Sequence, residues 1–397
     1  MTRRCNRDSV KFIHGFQRLL SDVRRCDHCL GLRSEASVLA ERFLKKLLLC
    51  SMLAVACHSV AVAGFDEGLI AAEREDYLAA LAQWQPLAAQ GHRSSQFNIG
   101  LMYETGKGVP RDPTQAFYWY LKAAEQGHVL AKNNVAALYG KGLGVPQSDE
   151  RAVFWFRKAA EDGLVDAQFN LALRLTSGLG VPRDDALAAS WFAKAAESGD
   201  LGSQLALGQV YANGRGLPKD EASSVKWFER AAAQGSAIAQ HILGNRYQTG
   251  RGVMADETVA AQWYTKAAEQ GYAASQYNLG LMYGSGKGVP KDVVKEASWY
   301  AKAAAQGLPD AQFNLGLMFA TGSNLPKDAE QAVILYRKAA LSGMSNAQNN
   351  LGAMYENGEG VTKNLLEAIE WYRKSASAGN EWGRRNLQRL LESTRSD

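Results

Sequence analysis

Apolar side chains recur at helical spacing along most of the chain, in two kinds of segment that alternate. In the first kind, Ser95, Ile99 and Tyr103 are four residues apart and therefore share one face of a helix. The second kind has apolar residues at positions i, i+3, i+4 and i+7, as in Ala116, Trp119, Tyr120 and Ala123. Such a stripe is typical of a helix packed along one side. The pattern predicts pairs of amphipathic helices.

This pair of segments repeats every 36 residues, in eight units without an insertion. Residues 95–110 read SQFNIGLMYETGKGVP, and residues 275–290 read SQYNLGLMYGSGKGVP. Tryptophan marks the same position in seven of the units, and leucine replaces it in the remaining one: Trp119, Trp155, Trp191, Trp227, Trp263, Trp299, Leu335 and Trp371. A single pair cannot bury its apolar face, whereas stacked pairs form a continuous core. The repeat therefore predicts an α-solenoid.

Glycines and capping residues delimit the helices of each unit. Gly106 and Gly127 have glycine at all equivalent positions, as expected where a helix ends in a left-handed conformation. Asp112 and most of its equivalents supply the acceptor that an N-cap requires. Position 100 holds only glycine or alanine in the eight units, which indicates close approach of the partner helix. We expect the ring of Trp119 or its equivalents to fill the space beside Gly100.

The stretch Gly106-Lys107-Gly108 raises the possibility of a phosphate-binding loop. A P-loop requires a glycine five residues before its Gly-Lys and a serine or threonine after the lysine. Leu101 and Gly108 occupy those two positions here. We interpret the glycines as the turn between paired helices and the lysine as incidental.

The chain resembles the Sel1-like repeat family, a relative of the tetratricopeptide repeat with a longer internal loop. The resemblance lies in the signature I-G-x-x-Y-x-x-G-x-G-V-P-x-D-x-x-x-A-x-x-W over residues 99–119, and it covers residues 65–397. It implies an all-α, right-handed α-solenoid of eight 36-residue helix-turn-helix repeats with degenerate capping helices at both ends. The seventh unit departs from the signature at Phe319, Asn324 and Leu335. We expect the fold to persist there with looser packing.

Five segments are predicted. They are an N-terminal extension (1–41), a signal peptide (42–63), a degenerate N-terminal capping helix pair (64–94), eight Sel1-like repeats (95–380), and a C-terminal capping helix and tail (381–397). The extension does not fit a signal peptide, and we expect it to be disordered or to result from a start site assigned too far upstream, with Val38 as the true initiator.

The signal peptide is predicted from a basic run at residues 42–46 followed by the apolar stretch Leu47–Cys57. Small residues follow up to Ala63, after which we expect cleavage, so the mature protein would be periplasmic or secreted. Two alternatives are less favoured. A lipid anchor on Cys57 would need a larger aliphatic residue at Ala54, and an uncleaved membrane anchor is interrupted at His58.

Charge and cysteine are both concentrated before residue 64. The net charge of +5 arises there, because the remaining residues hold 34 basic and 35 acidic side chains. This balance lacks the excess of basic side chains that is typical of nucleic-acid-binding domains. All five cysteines also precede residue 64. Cys26-Asp27-His28-Cys29 has zinc-like spacing but no second ligand pair follows, so we predict neither a metal nor a cofactor.

The resemblance implies a scaffold of the bacterial envelope that binds a protein or peptide partner, with possible roles in signalling or polysaccharide export. In the related tetratricopeptide fold, the first helix of each pair lines the concave groove. The candidate partner-binding residues on these helices are Asn98, Asn134, Asn170, Arg174, Arg246, Asn278, Met282, Asn314, Met318 and Asn350. Amides would bind an extended peptide, methionines would adapt to it, and the arginines would suit an acidic group. The alternative is that the asparagines and methionines serve packing.

A Sel1-like-repeat hydrolase acting on β-lactams is the alternative function. Ser223-Ser224-Val225-Lys226 satisfies S-x-x-K, but the chain contains neither an SDN nor a KTG companion. Beyond residue 64 only His92, His128 and His241 are present, each in a different unit. We interpret the S-x-x-K match as coincidence and predict that the protein is not an enzyme.

Overall fold

A computed structural model of the protein describes residue 46, residues 63–323 and residues 325–396. The zinc-like cysteines Cys26 and Cys29, the lipid-anchor candidate Cys57 and Asn324 lie outside the described residues, as does the predicted signal segment except Lys46 and its last residue. The predictions made for those positions therefore stay predictions.

In the first compact unit, the described residues 63–128 form the N-terminal cap and the first repeat. The helices of these residues are α1 (63–73), α2 (Tyr77–Ala89), α3 (Arg93–Thr105) and α4 (Pro113–Glu125). Helices α1 and α2 lie within residues 64–94 except for the first residue of α1. The N-cap of α2 is Asp76, whose carboxylate accepts a hydrogen bond of 3.0 Å from the Ala79 N–H.

The second compact unit, residues 129–397, continues with repeats 2 to 8 and ends in a single helix. Its helices are α5 (Val129–Lys141), α6 (Asp149–Glu161), α7 (Val165–Ser177), α8 (Asp185–Glu197), α9 (Leu201–Asn213), α10 (Glu221–Ala233), α11 (Ala237–Thr249), α12 (Glu257–Glu269), α13 (Ala273–Ser285), α14 (Val293–Ala305), α15 (Pro309–Thr321), α16 (Ala329–Leu341), α17 (Ser345–Asn357), α18 (Leu365–Ser377) and α19 (Glu381–Ser396). The predicted all-α solenoid of paired helices is confirmed. None of the helices in the described part of the chain is both long and apolar enough to span a membrane.

The predicted glycines and caps form the turns of each repeat. At the end of α13, Gly286 has a φ of 73°, in the left-handed region, and its N–H donates to the Met282 carbonyl. The Asp292 side chain then accepts hydrogen bonds from the backbone N–H groups of Val294 and Lys295, which starts α14. Local chemistry thus fixes where the helices of each repeat begin and end.

The structure confirms that the partner helix approaches closely at Gly100 and its equivalents. Tryptophan, however, is not the residue that fills the space beside them. A Cβ atom added to Gly244 would lie 2.6 Å from a ring carbon of Tyr264, one residue after Trp263. Trp263 is half-buried, and the Lys266 ammonium lies 4.2 Å from its ring centroid. Successive residues are about 100° apart around a helix. The expectation for Trp119 and its equivalents is corrected accordingly, because the residue after the tryptophan comes closest to the small residue, although Leu335 also approaches Gly316 in repeat 7.

A column of buried glutamines links successive repeats, and the sequence pattern alone did not reveal it. The Gln276 side-chain amide donates to the Ala268 carbonyl in the preceding repeat, at 3.1 Å. Its oxygen accepts a hydrogen bond of 2.8 Å from Gln306, at the end of the next helix. The same pairing occurs between Gln96 and Gln126, Gln204 and Gln234, and Gln240 and Gln270. Each pair closes a polar link between helices.

This link is incomplete where the second glutamine is missing. The buried side-chain oxygens of Gln168, Gln312 and Gln348 have no hydrogen-bond partner, and the residues at the partner position are Ser198, Ser342 and Ala378. Repeat 2 instead uses an ion pair between Lys132 and Asp162. The substitutions at the partner position therefore account for the three unpaired oxygens.

Replacing Ser342 with glutamine is expected to stabilise the protein by about 1 kcal/mol, because it supplies the missing donor to a buried acceptor. Urea denaturation of the full-length chain measures this free energy of unfolding. The reverse change, Gln306→Ser, removes an existing donor and is expected to destabilise by a similar amount. Equal stability of both variants and the parent would contradict the structural role of the column.

Candidate partner-binding site

The predicted asparagines lie half-buried along the first helices, and Asn314 donates a hydrogen bond of 3.4 Å to the Tyr277 hydroxyl of the preceding repeat. Asn278, Asn314 and Asn350 also act on the hydroxyls of Tyr264, Tyr300 and Tyr336, respectively. Burial raises the pKa of each of these tyrosines, and the asparagine hydrogen bond opposes that rise. The packing interpretation therefore accounts for these three amides. Asn98, Asn134 and Asn170 are also half-buried.

The methionines belong to the core. Met282 and Met318 are only 2% and 6% exposed, and each packs within a cluster of buried residues. Their long, flexible side chains fill the space between consecutive repeats. This corrects their assignment to the partner-binding face.

The two arginines are neutralised within the fold. The Arg174 guanidinium donates to Asp149 at 2.6 Å, and Arg246 forms an ion pair with Glu221. In both pairs the carboxylate is the first residue of the preceding second helix. The arginine side chains are only 15% and 10% exposed. Neither is therefore a free cation for an acidic partner, contrary to the sequence-based expectation.

The side chain of Arg174 occupies a defined space between two repeats. Its guanidinium carbon lies 5.6 Å from the ring centroid of Phe156, and its terminal nitrogen lies against Gly140. Asp149 closes the far end. An aromatic ring, a small residue and a carboxylate thus surround one arginine.

In the following repeat this space is open. Val210 stands where Arg174 stands one repeat earlier, and Ala206 stands in the asparagine column. A pocket of about 220 Å³ results. Its apolar walls are Leu173, Ala188, Phe192, Ala206 and Val210. We call this cavity the Val210 pocket.

The rim of the Val210 pocket is polar and carries opposite charges. It consists of Asp185, Gln209, Asn213 and Arg215. Asp185 accepts hydrogen bonds from Arg183 at 3.0 and 2.6 Å, and this interaction holds the pKa of Asp185 below its usual value. The carboxylate is therefore ionised at neutral pH, and Arg215 contributes a second nearby positive charge.

A repeat-equivalent pocket of about 360 Å³ lies in the first compact unit. Trp84 and Leu101 contribute apolar walls, and Asn98 from the predicted set also lines it. Lys107 stands at its rim, 5.1 Å from the ring centroid of Tyr77, and a hydrogen bond with Tyr77 raises the pKa of that lysine. The lysine interpreted as incidental in the sequence therefore borders a cavity.

Sequence reasoning missed the residues that form the Val210 pocket. The available signal was a departure from each column, since Ala206 and Val210 are smaller than most residues at their positions. Exposed leucines on the first helices were missed as well. They are Leu101, Leu130, Leu173, Leu281 and Leu317.

The S-x-x-K match has a structural explanation. The Ser223 hydroxyl donates to Asp220 at 2.6 Å, and Asp220 also accepts from the Ser223 N–H, so this serine belongs to the N-cap of α10. His241 is hydrogen-bonded to Ser275 at 2.8 Å, and burial lowers its pKa. Within the described residues, no group of three or more acidic, histidine or cysteine side chains could hold a metal ion.

Comparison with known families and structures agrees with the observed repeats. The Sel1 repeat matches residues 93–128, 129–164, 165–200, 202–236, 237–272, 273–308, 309–344 and 345–380. A Sel1 repeat protein from Oxalobacter formigenes is 34% identical, with 78% of this chain and 90% of that chain covered and a TM-score of 0.66. No curated protein gives a significant match.

A second solved structure is that of c5321, a protective antigen present in uropathogenic Escherichia coli strains that displays an SLR fold. It is 30% identical, with 86% of this chain and 90% of that chain covered and a TM-score of 0.51. Proteins built from these repeats are generally non-catalytic scaffolds that bind other proteins. On the eight family matches and the solved relatives, the chain belongs to the Sel1 repeat family.

Proposed function

We propose that the protein is a non-enzymatic interaction scaffold of the bacterial cell envelope, whose first helices bind a segment of a partner protein. The observation that carries the proposal is the Val210 pocket, which is open where the two adjacent repeats place the side chains of Arg174 and Arg246. Apolar pockets with a few convergent polar groups are the usual anchor points of recognition surfaces.

The chemistry of the pocket suits a side chain that projects from an extended peptide. Phe192 and Val210 offer an apolar wall, and the amides of Gln209 and Asn213 at the rim can hydrogen-bond a peptide backbone. Leu173 lines the pocket and is 44% exposed, so apolar surface continues from the pocket onto the helix face. These features support binding of a partially apolar partner segment.

The envelope location rests on the sequence. The predicted signal peptide ends at Ala63, and residues 64–397 contain no cysteine that an oxidising compartment would alter. Cleavage after Ala63 would release a periplasmic or secreted protein, and an anchor on Cys57 would hold it at a membrane. Envelope signalling and polysaccharide export are the processes that the family resemblance suggests.

Replacing Val210 with methionine is expected to weaken partner capture at this site, because the longer side chain takes up part of the pocket volume. A photo-crosslinking residue at Gln209, on the rim, would be activated in intact cells and the adducts identified by mass spectrometry. We expect the parent protein, with Val210 in place, to give a specific protein adduct. Val210→Met should reduce the yield of this adduct at least tenfold, which corresponds to about 1.4 kcal/mol of binding free energy.

The matched control is Val294→Met, which makes the same change at a residue that is 70% exposed on a second helix. It should leave the adduct unchanged. An adduct that survives Val210→Met would refute binding in the pocket. Cell fractionation tests the location, and protein found only in the cytosol with its N-terminal segment intact would refute the envelope assignment.

A further inference from the structure

We infer that the Val210 pocket accepts an arginine side chain from the partner protein. This inference rests on the proposed function and specifies the chemistry of the bound segment. It comes from a comparison of three successive repeat interfaces, of which the outer two contain an internal arginine and the middle one contains the pocket.

The preceding interface shows how arginine fits. Arg174 lies over the ring of Phe156 and donates to Asp149, next to Gly140. The residues at the corresponding positions one repeat later are Phe192, Asp185 and Thr176, and all three line the Val210 pocket. The pocket is therefore the space of an arginine side chain, with the aromatic wall and the carboxylate in place and the arginine absent.

The interface that contains Arg246 shows that the carboxylate at this position can bind two cations at once. Glu221 forms ion pairs with both Lys219, at 3.1 Å, and Arg246. Lys219 precedes Glu221 by two residues, as Arg183 precedes Asp185. Arg183 donates to both oxygens of Asp185, whereas Lys219 interacts with only one oxygen of Glu221, so a second cation at Asp185 would use the further lone pair that each oxygen keeps. A carboxylate has about four lone-pair positions and can accept from both cations.

Arginine fits this site better than other side chains do. Its planar guanidinium stacks on an aromatic face and donates to a carboxylate at the same time, whereas a lysine ammonium is a compact, strongly hydrated charge. The aliphatic stem would lie against Val210 and Ala206. The hydroxyl of Thr176 already donates to the Ala172 carbonyl, so no unpaired donor faces the incoming cation from that wall.

The chain itself offers one competing occupant. Arg215 is exposed at the rim and acts electrostatically on Asp185. If Arg215 folded into the pocket in solution, it would block an external arginine. The variant Arg215→Ala separates this case from binding in trans.

Supplying the arginine within the chain is the first test. Val210→Arg should raise the melting temperature of the full-length protein by about 2 °C, through an ion pair with Asp185. The gain should disappear in Val210→Arg/Asp185→Asn. The matched control is Met318→Arg, since the first residue of the helix facing it is Val293, and it should lower the melting temperature. A Val210→Arg variant as unstable as Met318→Arg would overturn the inference.

Binding of a defined probe is the second test. The peptide acetyl-Gly-Arg-Gly-amide should shift the NMR methyl signals of Val210 and Ala206 saturably, and the same peptide with uncharged citrulline should bind about tenfold more weakly. Asp185→Asn should remove the difference between the peptides. Absence of saturable shifts in both the parent and Arg215→Ala would overturn the inference, whereas binding by Arg215→Ala alone would support it with Arg215 as an internal competitor.

The two proposals fail in different ways. Loss of the crosslinked adduct in Val210→Met without any response to the arginine peptide would leave the scaffold function standing and refute the arginine chemistry. An adduct whose contacting segment contains an arginine, lost when that arginine becomes glutamine, would support both.

Discussion

Replacing Glu221 with valine is expected to lower the free energy of unfolding by about 3 kcal/mol, because it leaves the buried Arg246 without its carboxylate. Arg246 is only 9% exposed and sits between two repeats, where water cannot fully replace the lost partner. Urea denaturation of the full-length protein measures the effect. The cost should exceed that of Arg246→Met, after which Glu221 keeps its ion pair with Lys219.

The double variant Glu221→Val/Arg246→Met provides the decisive control. It recreates the pair Val293 and Met318 that the chain already uses at the equivalent position. Its stability should lie within about 1 kcal/mol of the parent, since apolar replacement of a whole buried ion pair is often neutral. A double variant as unstable as Glu221→Val would show that the valine itself, and not the unpaired arginine, causes the loss.

Replacing Gly244 with alanine is expected to destabilise by about 2 kcal/mol, despite the higher helix propensity of alanine. The new Cβ would stand 2.6 Å from the ring of Tyr264, which is completely buried. The ring cannot easily move aside, because its hydroxyl is hydrogen-bonded to Gln248 at 2.9 Å. Thermal and urea denaturation both report the change.

The chain suggests how this cost can be relieved. Ala172 occupies the equivalent position in repeat 3, and the facing residue there is Phe192, which has no hydroxyl to anchor it. The variant Gly244→Ala/Tyr264→Phe should therefore regain part of the stability lost in Gly244→Ala. The control Ala172→Gly should cost only about 1 kcal/mol. A Gly244→Ala variant as stable as the parent would contradict the close approach.

The helix boundaries could be predicted from the sequence because their causes are local. Gly286 ends a helix through its own φ, and Asp292 starts the next through its own side chain. Which of Trp263 and Tyr264 lies beside Gly244 depends on how two helices pack, and neighbouring residues in the sequence do not fix this packing. Both are aromatic and adjacent, and a helical phase known to within one residue cannot separate them.

The candidate site was harder to predict because its properties depend on residues in other repeats. Arg174 looked like a free cation until its partner, Asp149, was found 25 positions earlier. Comparing columns in pairs could have revealed this, since Glu221 and Arg246 repeat the combination. The Val210 pocket depends on two small side chains, Ala206 and Val210, and only a comparison with the larger residues in the same columns reveals the space that they leave. The signal peptide and its cleavage after Ala63 stay predictions.

The Gln–Gln pairs, which are present in some repeats and absent in others, also bear on the order in which the repeats of the second unit unfold locally. The stability of a linear stack is approximately the sum of the stability of each repeat and of its contacts with its neighbours, and each amide pair joins the two helices of one repeat. The amide pairs are complete in repeats 4 to 6 and incomplete in repeats 3, 7 and 8. Repeats 7 and 8, which lack this pair, are therefore expected to open before repeats 4 to 6, so the backbone amides of residues 201–308 should exchange last with solvent in a hydrogen-exchange measurement.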